Sequence, residues 1–296
     1  MSVAGGVYDA ATAPARAGFR RWAARMRRFP LAIVFYHRVA DEHPNPWTIS
    51  RRDFRRHLDW LGERFECISL TELQRRARHG GSPRPAVAIT FDDGYADNCE
   101  EALPELIRRR IPLTYFVTLG NVLSGRPFPH DVAAAQPLRP NTLRQLRELA
   151  AAGVEIGSHT RTHCDLGPLH DERRIRDEVV VATKELQQRV GTPVHYFAFP
   201  FGQPVNLHPM AARMAIQMGL DGVCTTTPAY VFPGGPCFEL PRFHGDPNLR
   251  RLKRWLSYGP RIRLRKTRPL FAEKRINSPR ELATPTGPLP EMQGCP

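Results

Sequence analysis

Residues Ala86–Phe91 form an apolar, partly β-branched run that leads without a charge into Asp92-Asp93-Gly94. A short run of this kind, bounded by a turn signal, has the pattern of a buried strand. Its C-terminal end delivers two adjacent carboxylates into a cleft, and Gly94 lets the backbone turn away. Two ionised carboxylates side by side in a low-dielectric pocket repel each other. A bound cation resolves the conflict by coordinating one and leaving the other free as a base. A solvated Asp-Gly turn is the plain alternative, and this stretch alone is compatible with both.

Similar runs recur along the chain. The pattern predicts strands at Ala32–Tyr36, Ala86–Phe91, Leu113–Thr118, Val154–Gly157, Tyr196–Phe199 and Gly222–Thr226. Between them it predicts helices at Arg52–Arg64, Leu70–Arg78, Asn98–Arg109, Thr142–Ala152, Asp171–Val190 and Pro209–Met218. Leu143, Leu146, Leu149 and Ala150 recur at helical spacing, with Gly153 as the stop. Strands alternating with helices give an α/β fold with a parallel sheet, and an α/β barrel if the sheet closes. A chain of 296 residues suits a single such domain. Barrel enzymes keep their chemistry at strand C-termini, which is where Asp92 and Asp93 fall.

A second constellation follows in Gly157-Ser158-His159-Thr160-Arg161-Thr162-His163. On a helical turn, imidazoles at i and i+4 share one face and can share a metal ion. A His pair by itself is more often an exposed face or a polar core contact. With an upstream aspartate it makes the three-ligand set of a catalytic zinc-type centre.

Taken together, Thr90-Phe91-Asp92-Asp93-Gly94, Ser158-His159-Thr160-Arg161-Thr162-His163 and Phe199-Pro200-Phe201-Gly202 resemble polysaccharide deacetylases of the NodB-homology type, the fourth carbohydrate-esterase family. The likeness covers roughly residues 30 to 250. It implies a distorted (β/α) barrel of about seven parallel strands and hydrolysis of the N-acetyl group of an N-acetylated sugar. It further implies Asp92 as general base and Asp93, His159 and His163 as ligands of a divalent metal ion, zinc being the expected one. The backbone N–H of Phe201 would help hold the oxyanion. Amide hydrolysis needs these parts: an activated water, a polarised carbonyl and a proton donor for the leaving amine.

Two departures from the family pattern stand out. Ala198 occupies the place of the arginine that steadies the base, and the late Leu-x-x-His motif is replaced by Leu240-Pro241-Arg242-Phe243-His244. Both resemble the circularly permuted subgroup that includes poly-N-acetylglucosamine deacetylases, in which the acid histidine lies near the N-terminus. Leu31–His37, an apolar strand ending in Tyr36-His37, fits that place. His37 is therefore the expected general acid, His244 the runner-up and Arg242 the expected substitute for the missing arginine. A strand-capping histidine and a surface ion pair are the bland readings of His37 and Arg242. A catalytically impaired carbohydrate-binding protein on the same fold, or an O-acetyl esterase, are the competing functions.

The formal charge of +14 is concentrated late in the chain, between Arg250 and Lys266. Cations interleaved with Leu, Ile, Trp and Tyr suit an anionic membrane surface. A solvated basic face is the equal alternative, and nucleic acid ranks lower for want of an accompanying motif. No stretch approaches the ~20 apolar residues of a membrane span. An Arg-rich start stands where a signal peptide needs an apolar core, so a cytoplasmic location, with association at the inner membrane face, is the expectation. The six cysteines form no metal or disulfide ladder, and Cys164 beside His163 reads as a packing residue. Four segments are expected: a basic extension (1–28), the deacetylase domain (29–250), a basic segment (251–277) and a disordered Pro/Gly-rich tail (278–296). The Pro-rich loop 120–140 is expected to shape access to the cleft.

Overall fold

The computed structural model describes residues 8, 10–136, 138–245 and 247–265. Its strands are β1 (Leu31–Tyr36), β2 (Arg38–Val39), β3 (Thr48–Ile49), β4 (Glu66–Cys67), β5 (Ala86–Phe91), β6 (Leu113–Val117), β7 (Glu155–Ser158), β8 (Tyr196–Ala198), β9 (Gly222–Cys224), β10 (Glu239–Leu240) and β11 (Phe243–His244). Eight of them lie side by side in the order β10-β9-β8-β7-β6-β5-β1-β11, and β4 adds a short flank against β5. Every pairing in this sheet is parallel. Strands β2 and β3 form a separate small pair.

Alternate strand residues sort into two apolar layers, as the pleat requires. Leu31, Ile33, Ala86 and Ala88 cluster with Tyr196, Ala198, Cys224 and Leu240 on the inner face of the curled sheet. Ala32, Val34, Val87 and Ile89 cluster with Phe54, Leu58 and Leu61 of the surrounding helices. The helix Arg51–Arg64 supplies those three residues at helical spacing and begins where Ser50 Oγ accepts the Asp53 N–H. Leu143–Ala151 begins with a full capping box between Thr142 and Gln145.

The sheet order starts at β10 and ends at β11, yet these two strands are separated in sequence only by Pro241 and Arg242. One short segment thus passes from the β9 edge to the β1 edge and draws the curl together. Pro241 has no N–H for a ladder, so the strand breaks there. The six strands read from the sequence pattern omit this seam because each half is two residues long and shows no periodicity.

Other predicted elements need correction. The helix predicted over Asn98–Arg109 divides into a 3₁₀ turn, Ala96–Cys99, and a helix, Ala102–Arg108. Pro104 is tolerated only in a first turn, so the helix starts just before it. Asp171–Val190 is helical but contains a π-helical turn at Asp177–Val181. Both termini of the described chain join the main body. Phe19, on the helix Ala13–Met26, packs on Tyr258 with ring centroids 5.8 Å apart. The predicted boundary at 250 falls inside the helix Leu249–Trp255, whose Leu252 is buried with Leu256 and Tyr258 in the same core as β1 and β5. Lys266, the rest of the 251–277 segment and the predicted 278–296 tail lie outside the described residues. The five described cysteines are free thiols, and Cys295 lies outside the described residues. Among the described residues no helix is long and apolar enough to cross a membrane.

Candidate active site

Because the strands are parallel, their C-terminal ends share one rim. Asp92 and Asp93 follow β5, His159 follows β7, Phe201 follows β8, His37 follows β1 and His244 ends β11. These residues line a single cavity of about 730 Å³.

Within it, Asp93, His159 and His163 bring one ligand atom each to within 4.8 Å of one another. The Nε2 atoms of His159 and His163 lie 3.4 and 3.2 Å from Asp93 Oδ1. His159 Nδ1 donates to the carbonyl oxygen of Ala198 at 2.8 Å, which leaves Nε2 as the lone-pair nitrogen facing the cavity. Asp93 Oδ1 is buried and accepts no hydrogen bond. A buried anionic oxygen without a donor, facing two imidazole nitrogens, is the environment that a divalent cation completes. Burial pushes the Asp93 carboxyl up, but His163 and His159 outweigh it and hold the group well below the usual carboxylate range. For His163, burial works downward and Asp93 upward, and the net shift is upward.

The helical rationale for the His pair does not hold. Residues 159–164 are an irregular loop, with Thr160 at φ 65° and His163 at φ 57°. Two left-handed residues, not a helical turn, swing the second imidazole back toward the first. Glu178 holds the loop in this shape. Its Oε2 accepts the N–H groups of Arg161 and Thr162, each at 2.9 Å, and its Oε1 accepts the Thr162 hydroxyl at 2.6 Å. Glu178 is buried in the π-helical turn. Sequence inspection had no signal for it, since it stands in a charged helical stretch, residues 172–178, where a carboxylate reads as solvated.

Left-handed backbone recurs around the rim. Asp93 has φ 74° and Phe201 φ 60°, costly conformations that persist where surrounding structure enforces them. At Phe201 the enforcing contacts are Thr226 Oγ1, which donates to the Phe201 carbonyl at 2.7 Å, and the Thr226 N–H, which donates to the Gly202 carbonyl at 2.9 Å. Gly202, at φ 61°, leaves no room for a Cβ, which would sit 2.8 Å from Thr226 N.

Asp92 has a different partner. Arg242 donates from Nη1 to Oδ1 and from Nη2 to Oδ2, both at 2.7 Å. The same guanidinium donates to Thr90 Oγ1 and to the Thr225 carbonyl, each at 3.1 Å, and lies 4.6 Å from the Phe35 ring centroid. Burial raises the Asp92 carboxyl, and Arg242, with His159, more than reverses this and lowers it. Arg242 is wholly buried at the β10–β11 seam. The arginine that clasps Asp92 thus comes from the β10–β11 junction, not from the strand of Ala198.

The two acid candidates are neighbours, with ring centroids 5.8 Å apart. His244, the runner-up, has a place as defined as that of His37. Phe35 and His244 are register partners in the parallel β1–β11 pair, so both histidines stand at strand ends on the same rim. The His37 Nδ1 is buried without a hydrogen-bond partner, and burial lowers its basicity against the opposing pull of Asp93 and Asp92. Trp47 lies against both rings, at 5.0 and 5.8 Å. The loop 120–140 does reach the cavity, through His130 and Asp131 on the helix Pro129–Ala133. Cys164 packs in the apolar cluster beneath the loop and stands outside the ligand set.

Residues 79–223 match the family model described as polysaccharide deacetylase. Over those residues, just under half of the chain, it is similar to polysaccharide deacetylases. YxkH of Bacillus subtilis strain 168 is 24% identical over 231 residues, covering 77% of this chain and 76% of its own. The poly-beta-1,6-N-acetyl-D-glucosamine N-deacetylase of Escherichia coli K12 is 28% identical over 206 residues, covering 57% of this chain and 30% of that protein. The deacetylase domain therefore corresponds to less than a third of that relative. The solved structure of IcaB from Ammonifex degensii superposes with a TM-score of 0.63 at 26% identity, covering 77% of this chain and 97% of that one. The matched region contains Asp92, Asp93, His159, His163 and Phe201 of the deacetylase domain. His37, just after β1, Arg242, just before β11, and His244, on β11, fall outside residues 79–223.

Proposed function

We propose that this protein is a divalent-metal-dependent deacetylase that hydrolyses the N-acetyl group of an N-acetylated saccharide. The observation that carries the reading is the convergence of Asp93, His159 and His163 beside an aspartate held ionised by a buried arginine. Asp93 Oδ1 and the two Nε2 atoms form an N,N,O donor set that suits zinc. When bound, such an ion polarises an acyl oxygen and makes water more acidic.

Asp92 then takes the proton of the attacking water, and Arg242 keeps its carboxylate ionised and fixed in orientation. The Phe201 N–H, presented by the left-handed turn, donates to the developing oxyanion. The leaving amine must be protonated, and His37 is the acid we assign, with His244 beside it as the second candidate. The impaired-enzyme alternative loses its main support, because the arginine missing at Ala198 is replaced by Arg242 on the same carboxylate. We place the enzyme at the cytoplasmic side, acting on a biosynthetic intermediate.

Elemental analysis of the purified protein, with acetate release from N-acetylglucosamine oligomers, tests the reading. His159→Ala is expected to lose both metal and acetate release. Full acetate release from metal-free protein would refute it.

A further inference from the structure

The charges lining the cavity are unevenly distributed. Asp92 is clasped by Arg242, and Asp93 faces two imidazoles. Asp131, on the opposite wall, accepts the Tyr95 hydroxyl at 2.8 Å and the Asn45 amide at 3.2 Å. The end formed by the C-terminal helices is different. From Leu249 to Arg265 the chain carries seven cationic side chains and no carboxylate.

Three of those cations lie over aromatic rings outside the cavity lining. Lys253 lies over the Trp60 ring, Arg261 over Tyr8 and Arg263 over Phe19, at 5.6, 4.6 and 4.1 Å from the ring centroids. Two of them, Arg251 and Arg265, line the cavity itself together with Trp255. Arg251 is held 4.7 Å over the Trp255 ring, and that ring stands 6.2 Å from Phe243, the neighbour of His244. An aromatic wall carrying a guanidinium, a second guanidinium beside it and the reaction centre in the same cavity form one continuous surface.

A neutral acetylated glycan can accept hydrogen bonds from arginine, but it carries no charge to match two of them. Guanidinium groups match phosphate oxygens in geometry as well as charge, and a concave wall of one sign concentrates anions. We infer that the Arg251–Arg265–Trp255 end of the cavity binds a phosphate-type anion borne by the saccharide whose acetamide reaches Asp92 and Asp93. The substrate class is therefore an N-acetylated glycosyl phosphate or diphosphate, not a neutral polymer. This deepens the proposed deacetylase reading and rests on it for the position of the acetamide.

The test uses the full chain as purified with its metal. Acetate release is compared for a neutral N-acetylglucosamine oligomer, N-acetylglucosamine 1-phosphate, UDP-N-acetylglucosamine and a diphosphate-linked lipid N-acetylglucosamine in neutral detergent. Calorimetric binding of N-acetylglucosamine 1-phosphate against free N-acetylglucosamine runs in parallel. Preference for any phosphorylated form supports the inference, and the best of the three identifies the anion as a bare phosphate, a nucleotide diphosphate or a lipid diphosphate.

In R251Q/R265Q the kcat/KM ratio of phosphorylated to neutral substrate should fall about tenfold or more, the scale of losing charge-assisted hydrogen bonds. Metal content should be unchanged. Equal ratios in wild type and double variant overturn the inference, including the case in which the variant only loses binding to anionic vesicles. If no substrate is deacetylated, the binding arm decides alone. Loss of glycosyl phosphate binding in the double variant then upholds the anion subsite while the deacetylase reading fails, and unchanged binding sinks both.

Discussion

Arg242 and Asp92 are 150 positions apart, yet they share two parallel hydrogen bonds of 2.7 Å inside the protein. A fixed fork facing a carboxylate is a specific geometry, and a lysine cannot reproduce it. Removing the guanidinium leaves Asp92 buried without its cation. Arg242→Ala should therefore destabilise the fold by about 3–5 kcal/mol, and Arg242→Lys should restore only part of the loss. Denaturant unfolding of the two variants checks this, and a loss below about 1 kcal/mol in Arg242→Ala would contradict the clasp.

The adjacent aspartates should separate on mutation. Asp92→Asn is expected to retain metal and lower kcat by ~10²-fold or more, the usual contribution of a general base. Asp93→Asn should instead release metal. Inductively coupled plasma analysis beside steady-state kinetics distinguishes them, and equal metal loss in both would refute the division of roles.

Glu178 touches no ligand atom, yet it fixes the loop between His159 and His163. Glu178→Gln keeps an acceptor but loses the charge-assisted bonds. Metal affinity should fall 10- to 100-fold, the range seen for groups that orient metal ligands. Competition with a chromogenic chelator measures this; unaltered affinity would show that the loop holds its shape unaided.

For the general acid, His37→Ala should reduce kcat strongly, keep metal and remove the alkaline limb of the pH–rate profile. His244→Ala should do less. The reverse ranking would assign the proton to His244, whose place at the end of β11 is as well defined as that of His37 at the end of β1.

Burial, against the pull of Asp93 and Asp92, leaves His37 less basic in the folded protein than in the unfolded chain. Below pH ~6.5 the unfolded chain then binds more protons at this site, so folding stability drops as pH falls from there toward the lowered value. His37→Gln should remove this contribution. In chelator-treated protein, the stability of His37→Gln relative to wild type should rise between pH 7.5 and pH 5.5. A constant difference across that interval would mean that His37 titrates as an ordinary solvated histidine.

Legibility followed length and periodicity. Ala86–Phe91 and Leu70–Arg78 match their predicted bounds, because each shows several repeats of its own period between clear stops. The seam Glu239–His244 was illegible: two dipeptide strands around a proline carry no pattern, and β11 pairs with β1 near the other end of the chain. The ligands were legible as residue types. Their convergence was expected for the wrong reason, since the left-handed turns at Thr160 and His163 depend on Glu178, a tertiary contact that local spacing does not encode.

The position of Arg242 between the last two strands has a consequence for how the protein is made. A chain emerging N-terminus first has presented Asp93, His159 and His163 well before the residue that neutralises Asp92 leaves the ribosome. Until Glu239–His244 docks, the sheet has two unjoined edges and one carboxylate without its counterion. Nascent or stalled chains that stop short of this segment hold the ligands but not the competent base. Closure of the sheet and neutralisation of Asp92 are thereby tied to the emergence of one six-residue stretch.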